Sequence, residues 1–112
     1  MSEAFVWFHN SSDKPNESKI FYEKLLGWRP SDGPGGMTML GGDKGPFAAL
    51  GAKEGDEAGW IPYVQVDDVE AATKRALSLG AALVKEKRRG PAGAFSVVRD
   101  PGGATFALWE KA

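Results

Sequence analysis

The sequence predicts an α+β fold built from two tandem βαβββ modules, and three observations carry the prediction. GPFAAL, from Gly45 to Leu50, returns as GATFAL, from Gly103 to Leu108. Leu26-Gly27 and Leu79-Gly80 each close an amphipathic stretch, and both echoes keep nearly the same offset in the same order along the chain, which is how a duplicated unit reads. Each half also passes through the same succession of hydrophobic periods, from strand to helix to three further strands. Module one spans about residues 1–52 and module two about 59–112, in one domain of 112 residues.

In module one, Phe5 to His9 alternates as a strand. Asp13 offers an N-cap and Pro15 suits a first helical turn. Ile20, Phe21, Leu25 and Leu26 form the apolar stripe of that helix, and Gly27 sits where a helix C-terminus wants a left-handed residue. Trp28 opens a short strand and Ser31 to Gly36 turns. Met37 to Leu40 is a strand, Gly41-Gly42-Asp43 a hairpin turn, and Phe47 to Leu50 the closing strand.

A polar, glycine-containing linker, Ala52 to Gly59, leads into module two, whose first strand is Trp60 to Val66. Asp67 or Asp68 caps a helix that places Val69, Ala72, Ala76 and Leu79 on one face and pairs Glu70 with Lys74 outside. Gly80 ends it. Ala81 to Val84 is a strand, Lys85 to Gly93 a loop, Ala94 to Arg99 a strand, Asp100-Pro101-Gly102-Gly103 a tight turn and Ala104 to Trp109 the final strand.

Composition narrows the function classes. A chain of this length buries a sizeable core without a staple. The absence of cysteine excludes disulfides and thiolate metal sites and suits a reducing compartment. The first ten residues carry no charged-then-apolar leader pattern and no apolar run is long enough to cross a bilayer, so a soluble cytoplasmic protein with no membrane partner is expected. With 14 basic and 15 acidic residues the net charge is -1, which argues against nucleic acid as a partner. The basic run Lys85 to Arg89 reads as a solvated loop shoulder, its functional alternative being a gate for an acidic ligand. Phosphate-loop glycine patterns and a nucleophile–histidine triad are both missing.

FYEKLLGW (Phe21 to Trp28), VQVDDVEAATKRALSLGA (Val64 to Ala81) and DPGGATFALWE (Asp100 to Glu110) together resemble the glyoxalase, bleomycin-resistance and extradiol-dioxygenase superfamily, the vicinal oxygen chelate proteins. The resemblance covers essentially the whole chain. It implies two modules whose four-stranded sheets form a cupped mixed β-sheet, commonly in a dimer. In the superfamily's enzymes it also implies a divalent metal held by His, Glu or Gln from the first and last strand of each module.

Carried over residue by residue, those ligand positions fall on Trp7, Ala49, Ile61 and Ala107. None of these side chains binds a metal, so neither a metal nor a cofactor is expected. His9, the sole histidine, is the candidate acid–base group. Strand alternation selects Trp7, His9, Tyr63, Gln65, Thr105 and Trp109 as ligand-binding residues, and groups Phe47 with Ala49. An aromatic wall over small alanines suits a flat apolar or aromatic molecule. The leading expectation is a metal-independent, small-molecule-binding homodimer. Its alternatives are a lyase, isomerase or dioxygenase with unusual ligands, and a protein-interaction module.

Overall fold

A computed structural model of the protein describes residues 4–55 and 58–112. Its elements are β1 (Phe5–Ser12), α1 (Pro15–Leu26), β2 (Arg29–Asp32), β3 (Thr38–Gly42), β4 (Gly45–Ala52), β5 (Gly59–Gln65), α2 (Val69–Ser78), β6 (Ala82–Gly90), β7 (Gly93–Arg99) and β8 (Thr105–Lys111). The α+β class and the βαβββ order in each half are as predicted. Of the expected linker, residues 56 and 57 lie outside the described residues, as do the first three of the N-terminal segment.

The chain divides into two units. The first is Trp7–Ile61, and the second takes the chain up to Val6 together with Pro62–Ala112. In the first unit the strands run in the order β2-β3-β4-β1, with β4 parallel to β1 and antiparallel to β3. In the second the order is β5-β8-β7-β6, again with the last strand, β8, parallel to the first and antiparallel to its other neighbour. The two units thus repeat one topology, as the duplicated phrases imply, and the phrases themselves form β4 and β8.

In the first unit, Leu40, Ala48 and Leu50 form a buried cluster against which Tyr22 of α1 and Trp28 pack. Helix α1 departs from its predicted role. Ile20, Phe21, Leu25 and Leu26 are 45%, 56%, 62% and 50% exposed, and no residue of α1 is buried. Asp13 is not the cap. Lys14 holds the N-cap position with no side-chain bond, while the Ser12 hydroxyl accepts from the Lys14 N–H at 3.0 Å and Asp13 faces Lys53 at 3.9 Å. The other end is as predicted: Gly27 has φ 72° and its N–H donates to the Glu23 carbonyl, a left-handed turn that favours glycine.

In the second unit, Asp68 caps α2 by accepting from the Ala71 N–H at 3.1 Å, and Val69 is fully buried. Leu79, predicted on the apolar face, is 63% exposed because the helix stops at Ser78, one residue short of it. Buried Ser96 meets the Thr73 hydroxyl at 2.7 Å, Thr73 donates to the Val69 carbonyl at 2.6 Å, and Glu110 accepts from the Val69 N–H at 2.9 Å. These bonds fix which face of β7 and β8 meets α2. The largest correction is β6: the basic run is not a loop shoulder but strand, paired with β7 out to Gly90–Gly93 through two irregularities.

Candidate functional site

Because α2 covers the face carrying Ser96 and Glu110, strand alternation turns Phe95, Val97 and Arg99 of β7 and Thr105, Ala107 and Trp109 of β8 to the opposite face. The register then sets Tyr63 beside Ala107 and Gln65 beside Trp109 on β5, with Phe95 and Val97 on the far side of the same two residues. Four of the six predicted ligand-binding residues, Tyr63, Gln65, Thr105 and Trp109, therefore share one face of the second unit. Its floor is Ala107, fully buried. Tyr63 and Phe95 make a tilted ring contact at 5.9 Å between centroids.

The remaining two, Trp7 and His9, lie half-buried on β1 in the first unit. The His9 imidazole lies over Gly51: a methyl group there would meet it at 3.6 Å. His9 pairs with Ala49 across the parallel β1–β4 ladder, and Met39 of β3 flanks Ala49 on the other side.

The registers revise the level of the first strands. Beside Ala49 stands His9 rather than Trp7, and beside Ala107 stands Tyr63 rather than Ile61. The two alanines keep their places in either case, 1% and 0% exposed. Each unit by itself thus offers a vicinal-oxygen-chelate metal one such side chain at that level, an imidazole in the first and a phenol in the second, with a methyl group beside it. That donor set does not fit the ion. Among the described residues, no group of three His, Cys, Asp or Glu side chains could hold one.

Burial pushes the Tyr63 phenol up to about 12, so it remains a neutral hydrogen-bond donor at physiological pH. The unfolded chain releases this proton first. Stability tied to Tyr63 is therefore intact below the ordinary tyrosine value of about 10 and is lost as pH rises toward about 12, by about 3 kcal/mol in all. Urea melts at pH 8 and pH 11 should show a smaller alkaline loss for Tyr63→Phe than for the wild type; an identical loss would place the phenol in solvent.

Sequence reasoning missed a second feature, an apolar groove of about 330 Å³ in the first unit lined by Phe8, Trp28, Phe47, Ala48 and Trp60. Phe47 was grouped with Ala49, yet its ring meets Trp28 at 4.9 Å, on the side of the Leu40–Ala48–Leu50 cluster. The cause is a bulge: Leu40 pairs with Ala48 but Gly41 pairs with Pro46, so Phe47 is an extra residue that breaks the two-residue period. Gly41 is the one visible trace of it, since a Cβ there would lie 2.7 Å from the Gly45 carbonyl oxygen. Tyr22 anchors the groove, stacked on Trp28 at 5.3 Å and accepting from Trp60 Nε1 at 3.0 Å and Asn10 Nδ2 at 3.2 Å.

Comparison with known proteins agrees with this architecture. The family model described as a glyoxalase-like domain matches residues 7–109. A putative glyoxylase, CFP32, from Mycobacterium bovis is 30% identical over 93% of this chain and 44% of its own length. The anthracycline biosynthesis protein DnrV from Streptomyces peucetius is 30% identical over 96% of this chain and 47% of its own. The chain thus spans about half the length of the curated relatives it matches. Among solved structures, a glyoxalase/bleomycin resistance protein/dioxygenase superfamily member from Vibrio splendidus aligns over 100% of both chains with a TM-score of 0.65 at 18% identity. A methylmalonyl-CoA epimerase from Streptomyces coelicolor aligns over 100% of this chain and 99% of its own, with a TM-score of 0.66 at 15% identity. The structural likenesses show the fold alone. The domain match spans nearly the whole chain, and with the repeated βαβββ topology it places the protein in the glyoxalase-like domain family of the glyoxalase/bleomycin-resistance/dioxygenase superfamily.

Proposed function

We propose that this protein binds a small apolar or aromatic molecule without a metal, as a cytoplasmic homodimer. The observation that carries the reading is the pair of buried alanines, Ala49 and Ala107, at positions where the superfamily's enzymes place ligating side chains. A methyl group cannot coordinate an ion, and Tyr63, Val97 and Trp109 make the surroundings of Ala107 largely apolar. A relative named for anthracycline biosynthesis favours an aromatic ligand. The exposed apolar stripe of α1, with Phe21 and Leu25 more than half exposed, supports pairing of two copies. The absence of cysteine supports the reducing cytoplasm.

A neutral planar probe, 2-naphthamide, should quench tryptophan fluorescence saturably and raise the melting temperature. Light scattering at micromolar concentration should give about twice the 12.0 kDa chain mass. No response to this or any planar aromatic probe would overturn the binding reading, and a monomer mass would overturn the dimer. The enzyme alternative keeps His9, half-buried beside Ala49, as its acid–base group. A turnover lost in His9→Ala would favour it.

A further inference from the structure

The apolar groove of the first unit is walled by rings. Four of its five lining residues, Phe8, Trp28, Phe47 and Trp60, are aromatic and the fifth is Ala48, in a chain that is 11% aromatic overall. No aliphatic side chain longer than a methyl group takes part. The walls stand nearly at right angles, since the Trp28 plane meets Phe47 at 81° and Trp60 at 78°, with centroids 4.9 and 6.2 Å apart. Ala48 is buried at the floor, whereas Phe8, Phe47 and Trp60 are each more than a third exposed, so the groove opens to solvent. Tyr22 braces two walls, stacked on Trp28 and accepting from Trp60 Nε1, which leaves that indole N–H engaged. Phe8 pairs with Ala48 where His9 pairs with Ala49, and successive strand residues face opposite ways. The groove is therefore on the α1 side of these strands, away from His9 and Ala49.

A hydrocarbon guest would be held as well by Leu, Ile or Val, because its burial depends on apolar area and not on π faces. A neutral polar guest would lose its water and find no hydrogen bond. What aromatic walls add is the negative face of each ring, strongest for tryptophan, which attracts a cation. Walls at right angles also favour a compact, rounded group that touches several rings over a flat one that lies on a single ring. An alkylated ammonium meets both demands, since its methyl shell carries the charge and requires no hydrogen bond. Arg29, next to Trp28, is paired with Asp43, so its own charge is compensated. A volume of about 330 Å³ lies near the lower bound of ligand pockets, about 300 Å³, and suits a head group rather than an extended molecule. Going beyond the small-molecule reading above and not resting on it, we infer that the first unit binds a quaternary ammonium group among Trp28, Phe47 and Trp60.

The test follows the indole N–H resonances of the four tryptophans by NMR during titration with choline or its neutral carbon isostere, 3,3-dimethylbutan-1-ol. Wild type, Phe47→Leu and Trp60→Leu are compared, each first checked for a cooperative melt. In the wild type choline should shift the Trp28 and Trp60 signals saturably and leave Trp7 and Trp109 in place. It should bind at least about fivefold more tightly than the alcohol. Each leucine variant keeps an apolar wall but removes a π face, so the preference for the cation should be lost while alcohol affinity changes by less than about threefold. If one variant does not fold, the other decides. The site is overturned by equal or tighter binding of the alcohol, by the lack of a saturable choline shift, by shifts centred on Trp7 or Trp109, or by a preference that survives substitution.

Discussion

Gly93→Ala should cost at least about 3 kcal/mol of stability and yield little soluble protein. Gly93 opens β7 with φ 139°, a region that side chains rarely enter. A methyl group there would run into the Glu110 carbonyl oxygen and lie 2.8 Å from the Ala112 nitrogen. Both obstacles are backbone of β8 and the residues after it, which cannot yield without breaking the Gly93–Lys111 pairing. The control is Gly90→Ala, at the other side of the same hairpin, where the nearest atom to an added Cβ is 3.8 Å away. Urea denaturation should separate the two by several-fold in free energy. A Gly93→Ala protein as stable as Gly90→Ala would contradict the β7–β8 register on which the ligand face depends.

A paired substitution should then separate core from binding face. Leu50 is 1% exposed inside the Leu40–Ala48 cluster, so Leu50→Ala should cost about 2–5 kcal/mol through lost burial and the cavity left behind. It should leave the affinity for 2-naphthamide unchanged in the protein that remains folded. Trp109 is half-buried on the face opposite α2, beside Gln65 and Phe95. Its removal should lower affinity by about tenfold, the loss of an aromatic face and its contact area, with the smaller stability cost of a half-buried position. Chemical melts and calorimetry on both variants would read this crossing of effects. If Trp109→Ala destabilises as much as Leu50→Ala and binding is unaltered, Trp109 is core and the face is not a binding surface.

Duplication made the topology readable before any coordinates. A repeated glycine-to-leucine phrase can only close two equivalent strands, and β4 and β8 both lie parallel to the first strand of their half. Chain termini of helices were legible where one residue type has one conformational use, as at Gly27 and Asp68. What failed was set by contacts across strands. The run from Lys85 to Arg89 looks like a solvated loop by charge, and only the partner strand β7 keeps it extended to Gly90. The stripe of α1 is amphipathic but stays exposed, since Tyr22 rather than Leu25 reaches the core.

The candidate face divides in the same way. Alternation sufficed to gather Tyr63, Gln65, Thr105 and Trp109, because β5 and β8 run without a bulge. It failed at Phe47, where one extra residue shifts the period. It also could not set the level of β1 against β4 or β5 against β8, which placed His9 and Tyr63 beside the two alanines.

The dissociation constant of 2-naphthamide, measured once in excess chelator and once in saturating Zn²⁺, Mn²⁺ or Fe²⁺, bears most directly on the metal-free reading. The same value is expected in every condition, with no chemical change in the probe. Binding or turnover that appears only with an ion, and vanishes when the ion is chelated, would contradict it.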